Sequence, residues 1–168
     1  MLNTLIRQVF GNDALNFAQN HSATQLRDKD SLLIQSILAT MITDAQKSMT
    51  AVLNDEARAD INCKCRLQPT DAFTSRWGDE LEDIIIQIKV YSAFDSGITV
   101  FDERDFGVVF RLNDGSWTNA TPAGDWSRQS VYWQFEYVGT DFSKPCTTPW
   151  DRGASARVLI LMLPEEFI

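Results

Sequence analysis

The period of the hydrophobic pattern changes near residue 60, from about 3.6 in the first third of the chain to 2 in the rest. In the first part, Leu33, Ile37, Leu38, Met41, Ile42, Ala45, Met49, Val52 and Leu53 recur at i, i+4 and i+7 and form one apolar face. Thr40, Asp44, Gln46, Lys47 and Thr50 fall largely opposite. Asp28, Asp30 and Ser31 supply acidic and capping groups at the positive end of the dipole, so the spacing predicts a helix from about Ser31 to Glu56. Leu2, Leu5, Ile6, Val9 and Phe10 share a face in an earlier, shorter helix, which Gly11, Asn12 and Asp13 interrupt and Leu15, Phe17 and Ala18 extend. The polar stretch Gln19 to Lys29 reads as a loop.

After residue 60 the pattern alternates. Ile61, Cys63, Cys65 and Leu67 share one face of an expected strand, with Asn62, Lys64, Arg66 and Gln68 on the other. Ile84, Ile86, Ile88 and Val90 alternate with Ile85, Gln87, Lys89 and Tyr91 in a second expected strand, and Asp95, Ser96 and Gly97 turn the chain into Ile98 to Phe101. Phe106, Val108, Phe110 and Leu112 lead into the turn formers Asn113, Asp114 and Gly115, with Ser116 to Asn119 returning as a short strand. Val131, Trp133, Phe135 and Tyr137 form another alternating segment. Val158 to Leu163 is apolar on both faces, as expected of a central strand, and Pro164 ends it. The reading is α+β: two N-terminal helices packed on a mainly antiparallel β-sheet of about five to seven strands. A single domain spans residues 1–168, helical over 1–58 and β-rich over 61–168.

A chain of 168 residues can bury roughly 70% of its unfolded surface, so no covalent staple is needed. Three cysteines cannot all pair internally, and they are expected to be reduced. No run approaches the ~20 apolar residues of a transmembrane helix, and no basic segment followed by an apolar stretch and a cleavage site opens the chain. A cytoplasmic protein without a signal peptide or membrane span is the expectation, in the host cytoplasm or a particle if viral. Fifteen basic against 23 acidic residues leave a net charge of −8. Within residues 61–168 the count is 10 against 16, a net of −6. That sign repels phosphate backbones and anionic membranes and argues against direct nucleic-acid binding. Asp79, Glu80, Glu82 and Asp83 form one acidic cluster, Asp102, Glu103 and Asp105 a second, and Glu165 and Glu166 a third. Such runs are ordinarily solvated turns, and the alternative is attraction to a basic partner.

Candidate chemistry is sparse, and no catalytic, cofactor-binding or metal-ligating residues are assigned. His21, the one histidine, sits in a polar stretch and lacks a Gly-x-Ser-x-Gly partner motif. Cys63 and Cys65, on an apolar strand face, should have raised rather than lowered thiol pKa values, and Cys146 is placed in a loop. Cys63-Lys64-Cys65 has no second ligand pair for zinc, and neither a calcium loop nor a phosphate-cradling glycine pattern occurs.

Aromatic loops remain. Trp77, Trp117, Trp126 and Trp150 fall in or near expected turns, whereas Trp133 belongs to a strand and to the core. Exposed indoles suit binding hot spots or sugar stacking; the alternative is that they fold down and cap the core. The long segments Asn113 to Ser130 and Gly139 to Gly153 could bring Trp117, Trp126 and Trp150 together as a protein-binding surface. Combined alanine substitution there is expected to abolish binding and spare folding. The leading expectation is a non-enzymatic protein–protein interaction protein, a structural or assembly subunit of virus or phage type. Its contacts would be Trp117, Asp125, Trp126, Trp150, Asp102, Glu103 and Asp105, and its partner another protein or a second copy in a homo-oligomer. A small acidic inhibitor or immunity protein capping a basic partner is one alternative. A carbohydrate-binding module or paired-carboxylate glycosidase, with Glu136 and Asp125 as candidate acids, is the other.

Overall fold

A computed structural model of the chain describes residues 28–95 and 103–167. The shorter N-terminal helix, His21, the strand at Ile98 to Phe101 and the candidate Asp102 lie outside these residues. The chain divides into two compact units, Met1–Lys47 and Ser48–Ile168. The described part of the first unit is wholly helical and belongs to α1 (Asp28–Ala59), which runs on into the second. The predicted helix is therefore present and extends nearly a turn further at each end. In the second unit its buried positions are Thr50, Ala51, Leu53, Asn54, Ala57 and Arg58, so Thr50, expected opposite the apolar face, is buried, while Met49 and Val52 from the expected apolar stripe are exposed.

The second unit is α+β. A single helical turn, α2 (Ile61–Lys64), leads into β1 (Cys65–Pro69), α3 (Asp71–Trp77), α4 (Leu81–Lys89), β2 (Phe106–Arg111), β3 (Trp117–Thr118), β4 (Ser130–Gly139) and β5 (Ser155–Met162). The five strands form one sheet in the order β1-β5-β4-β2-β3. Only β1 and β5 run parallel; the other pairs are antiparallel, and the long β4–β5 ladder runs from Tyr132↔Met162 to Gly139↔Ser155. The expected strands at Phe106, Ser116, Val131 and Val158 are all present, and β5 lies between two neighbours as its two apolar faces require.

Two elements differ from expectation. Ile84 to Tyr91 is not a strand: α4 places Ile84 and Ile88 at i, i+4 in the core and leaves Ile86 and Val90 at 54% and 62% exposure. Glu82 and Asp83 in its first turn and Lys89 in its last complement the helix dipole. The strand expected from Ile61 begins only at Cys65, so Cys63 is exposed on α2 and does not share a strand face with half-buried Cys65.

The core is built on one face of the sheet from Val131, Trp133 and Phe135 of β4 and Leu159 and Leu161 of β5. Phe73, Ile84, Ile88, Tyr91, Ala57 and Ile61 pack over them. Trp133 is fully buried, edge-on to Tyr91 at 5.3 Å, and lies directly across from Gly107. A Cβ at that glycine would meet the indole at 2.6 Å, so this cross-strand pair requires glycine.

Candidate functional site

Strand β4 outruns β2. Their pairing ends at Phe106↔Gln134, followed by one more bond from Phe135 N–H to the Asp105 carbonyl at 2.7 Å, while β4 continues to Gly139. The chain after Gly139 folds back along this uncovered edge. Gly139 N–H donates to the Lys144 carbonyl, Phe142 N–H to the Gly139 carbonyl, and Cys146 N–H to the Tyr137 carbonyl. Asp141 tightens the turn by accepting from the Ser143 N–H at 3.0 Å and hydroxyl at 2.7 Å, which holds its carboxyl below the usual range. Between Asp105 and this returning segment lies an open cleft of about 550 Å³, with Phe142 to Pro145 as one wall and Gln134 to Val138 as another.

Two lining residues, Asp105 and Tyr137, belong to a polar network that ties β4 to β5 and α1. Arg157 of β5 donates from Nε to the Asn54 amide oxygen at 2.8 Å and from Nη2 to the Pro149 carbonyl at 2.8 Å. The Asn54 amide nitrogen donates to the Tyr137 hydroxyl at 2.9 Å and the Glu103 carbonyl at 2.8 Å. The Tyr137 hydroxyl in turn donates to Asp105 at 3.4 Å. Burial raises the Tyr137 and Asp105 pKa values and lowers that of Arg157, because desolvation disfavours each charged form. The loop's far end is tied down by Arg152, whose Nη1 and Nη2 each reach Glu56 at 2.7 Å. With Lys64 also nearby, that arginine lowers the Glu56 pKa to about 2.

Phe142 is the exceptional residue of this wall. Its φ is 58°, in the left-handed region that bulky L residues avoid, yet its side chain is 37% exposed, and Arg66 lies 4.7 Å from its ring centroid.

Of the expected contact residues among those described, the structure places only Asp105 on the cleft, while the Glu103 carbonyl accepts from Asn54 in the adjoining network. Trp117 is buried on β3, edge-on to Trp77 at 5.3 Å, with its Nε1 donating to Glu80 at 2.8 Å. Glu80 also accepts from Arg111 Nε, so part of the first acidic cluster is an internal ion pair that lowers the Glu80 pKa. The reading of Trp117 as an exposed contact is corrected: it caps the core, because the β2–β3 hairpin folds its indole onto α3. Trp126 is half-buried in the turn before β4, its Nε1 donating to the Ala123 carbonyl, next to exposed Asp125. Trp150 is half-buried beyond the cleft wall. The expectation for the segment from Gly139 rests on its length and on Pro145, Cys146, Pro149 and Trp150, whereas the cleft takes Phe142 to Pro145 from it. Asn54, Tyr137 and Arg157 were passed over. Their signal was a polar residue at a buried helix position and an arginine inside an apolar strand.

The site offers charge recognition and hydrogen bonding. Among the described residues no group of three or more His, Cys, Asp or Glu could hold a metal. Burial raises the Cys65 thiol to about 11, and Asp60 raises that of Cys63. No curated protein and no solved structure matches the chain. A family model, DUF3768, described as a protein of unknown function, matches residues 69–166, a stretch that contains both cleft walls and more than half of the chain; the chain belongs to that family.

Proposed function

We propose that this chain is a non-enzymatic protein-interaction subunit that receives a short partner segment in the cleft between β4 and the Gly139–Lys144 turn. The observation that carries this reading is Phe142. A left-handed backbone at a bulky residue costs about 1 kcal/mol or more, and a partly exposed ring gains little from the core in return. Strain of this kind collects at binding sites held ready in advance. Among the lining residues Asp105 and Glu136 set two carboxylates against Lys144, with Arg66 held over the Phe142 ring, so a Lys or Arg of the partner segment fits at the carboxylates. A role in a virus- or phage-type assembly and a cytoplasmic setting belong to the same proposal; three free cysteines are compatible with that setting.

The two carboxylates also favour a second reading, a small acidic inhibitor that caps a basic partner. Salt separates the two, since capping by charge weakens steeply with ionic strength while a contact centred on Phe142 does not. The test is selection of peptides from a random library on the folded protein, followed by titration. Enriched peptides should be basic, and Phe142→Ala and Glu136→Gln should each weaken them at least about tenfold with unchanged circular dichroism. Peptides indifferent to both substitutions, or none retained, would defeat the proposal.

A further inference from the structure

The ladder between β2 and β4 breaks at a single residue. Arg104 has a φ of 55°, the same left-handed region as Phe142, and there the chain turns off β4, one position short of the Phe135–Asp105 bond. The kink carries the Arg104 side chain to α1, where Nη1 donates to Asp55 Oδ2 and the guanidinium lies 5.7 Å from the Phe94 ring centroid. The Glu103 carbonyl accepts from the Asn54 amide at 2.8 Å, and the Asp105 N–H turns onto its own carboxyl. The Phe135 carbonyl faces this edge, because its own N–H already bonds Asp105, and it has no hydrogen bond among the described residues. Both ties to α1 can be released without stranding a buried group. Asp55 Oδ1 also accepts from buried Arg58, and the Asn54 amide nitrogen also donates to the Tyr137 hydroxyl. The Arg104 and Asp55 side chains are 49% and 33% exposed, so water weakens their ion pair.

We propose that Arg104 is a two-position strap on the cleft: in its second position the residue is extended, stands opposite Glu136, and closes the cleft to the partner segment. This rests on the reading of the cleft as the partner site and assigns its regulation. The register that sets Phe106 against Gln134 sets Asp105 against Phe135 and Arg104 against Glu136. In that position the Asp105 N–H reaches the free Phe135 carbonyl and completes a pair of which one bond already exists. Arg104 and Glu136 then form a non-hydrogen-bonded pair, the kind in which facing side chains come closest. Glu136 is exposed and forms no ion pair among the described residues. Extension stops at this pair, because the Tyr137 carbonyl is taken by the Cys146 N–H. Closing relieves the left-handed backbone at Arg104 and gives up its contacts with Asp55 and Phe94. Arg104 brings to the cleft the same cationic chemistry as a basic partner segment. Strap and segment therefore compete for Glu136, and Asp55 holds the cleft open.

The test is amide hydrogen exchange at Asp105, followed by NMR in the full chain without any ligand. Arg104→Val disfavours the left-handed backbone while leaving Asp55 to Arg58, and should slow that exchange at least about tenfold. Arg104→Gly adopts the kink freely and should exchange as fast as the parent. Asp55→Asn keeps an oxygen for Arg58 but loses the charge that holds Arg104, so it should slow the exchange as well. Adding Glu136→Gln should return it to the parent rate. Circular dichroism verifies folding of each variant. Equal exchange in Arg104→Val and Arg104→Gly, or a rate indifferent to Asp55→Asn, overturns the proposal. Basic peptides selected on the parent should bind Arg104→Val at least about tenfold more weakly than Arg104→Gly, and equal binding would overturn control of the cleft by the strap. Exchange that behaves as described in a protein that retains no peptide would sustain the strap and defeat the cleft reading alone.

Discussion

Replacing Gly107 by alanine tests the packing that sets the sheet against its helices. The added Cβ would lie 2.6 Å from Trp133 Cζ2 and 2.7 Å from Cε2 and Nε1. Carbon atoms in comfortable contact stand about 3.5–4.0 Å apart, so the indole must retreat by roughly 1 Å. It has nowhere to go: Trp133 is fully buried and edge-on to Tyr91 at 5.3 Å, Phe135 at 6.0 Å and Phe94 at 6.3 Å. Overpacking of this sort costs about 1–3 kcal/mol, against which the reduced freedom of the unfolded chain returns about 0.4–1 kcal/mol. A net loss of ~1.3 kcal/mol should lower Tm by roughly 3–5 °C, measured by thermal circular dichroism. Trp133→Phe removes the overlapping ring atoms, so the double variant should be more stable than the sum of the single losses by at least ~1 kcal/mol. A Gly107→Ala protein as stable as the parent, or strict additivity with Trp133→Phe, would refute the cross-strand contact.

Asn54→Ala should destabilise by about 3 kcal/mol, because Arg157 Nε loses its acceptor and the Glu103 carbonyl its donor; urea titration with unchanged slope would verify it. Trp117→Ala should cost about 3–5 kcal/mol, whereas Trp126→Ala should leave Tm nearly unchanged, reversing the expectation that the loop tryptophans can be removed together without harm. Asp105 has a folded pKa raised by burial, so the folded state holds its proton more tightly and its stability contribution falls as pH rises past the ordinary carboxylate value. Asp105→Asn should therefore be more stable than the parent at pH ~7, with the gap closing toward pH ~4; a gap independent of pH would show that Asp105 is not perturbed. Glu56 acts oppositely: its pKa of about 2 means that the Arg152 anchor contributes fully above pH 4.5 and is lost as pH falls through about 2. Glu56→Gln should remove that acid-limb loss from a Tm–pH profile.

Local pattern was enough for α1, the β2–β3 hairpin, β4 and β5. Each repeats one period over several turns or residues, and Asn113, Asp114 and Gly115 can hardly serve except as a turn, with Gly115 at a φ of 88°. The α+β class and the buried Trp133 follow from the same periodicity. The run from Ile84 to Val90 could not be decided that way, since its isoleucines satisfy both a two-residue and a four-residue repeat. What decided it was the tertiary demand for Ile84 and Ile88 over Val131 and Phe135. The parallel docking of β1 on β5, the opening left where β2 stops short of β4, and the meeting of Asn54 with Arg157, 103 positions away, are likewise beyond sequence. They arise from contacts between distant segments, and a local pattern records which face a residue prefers but not which residue it meets there.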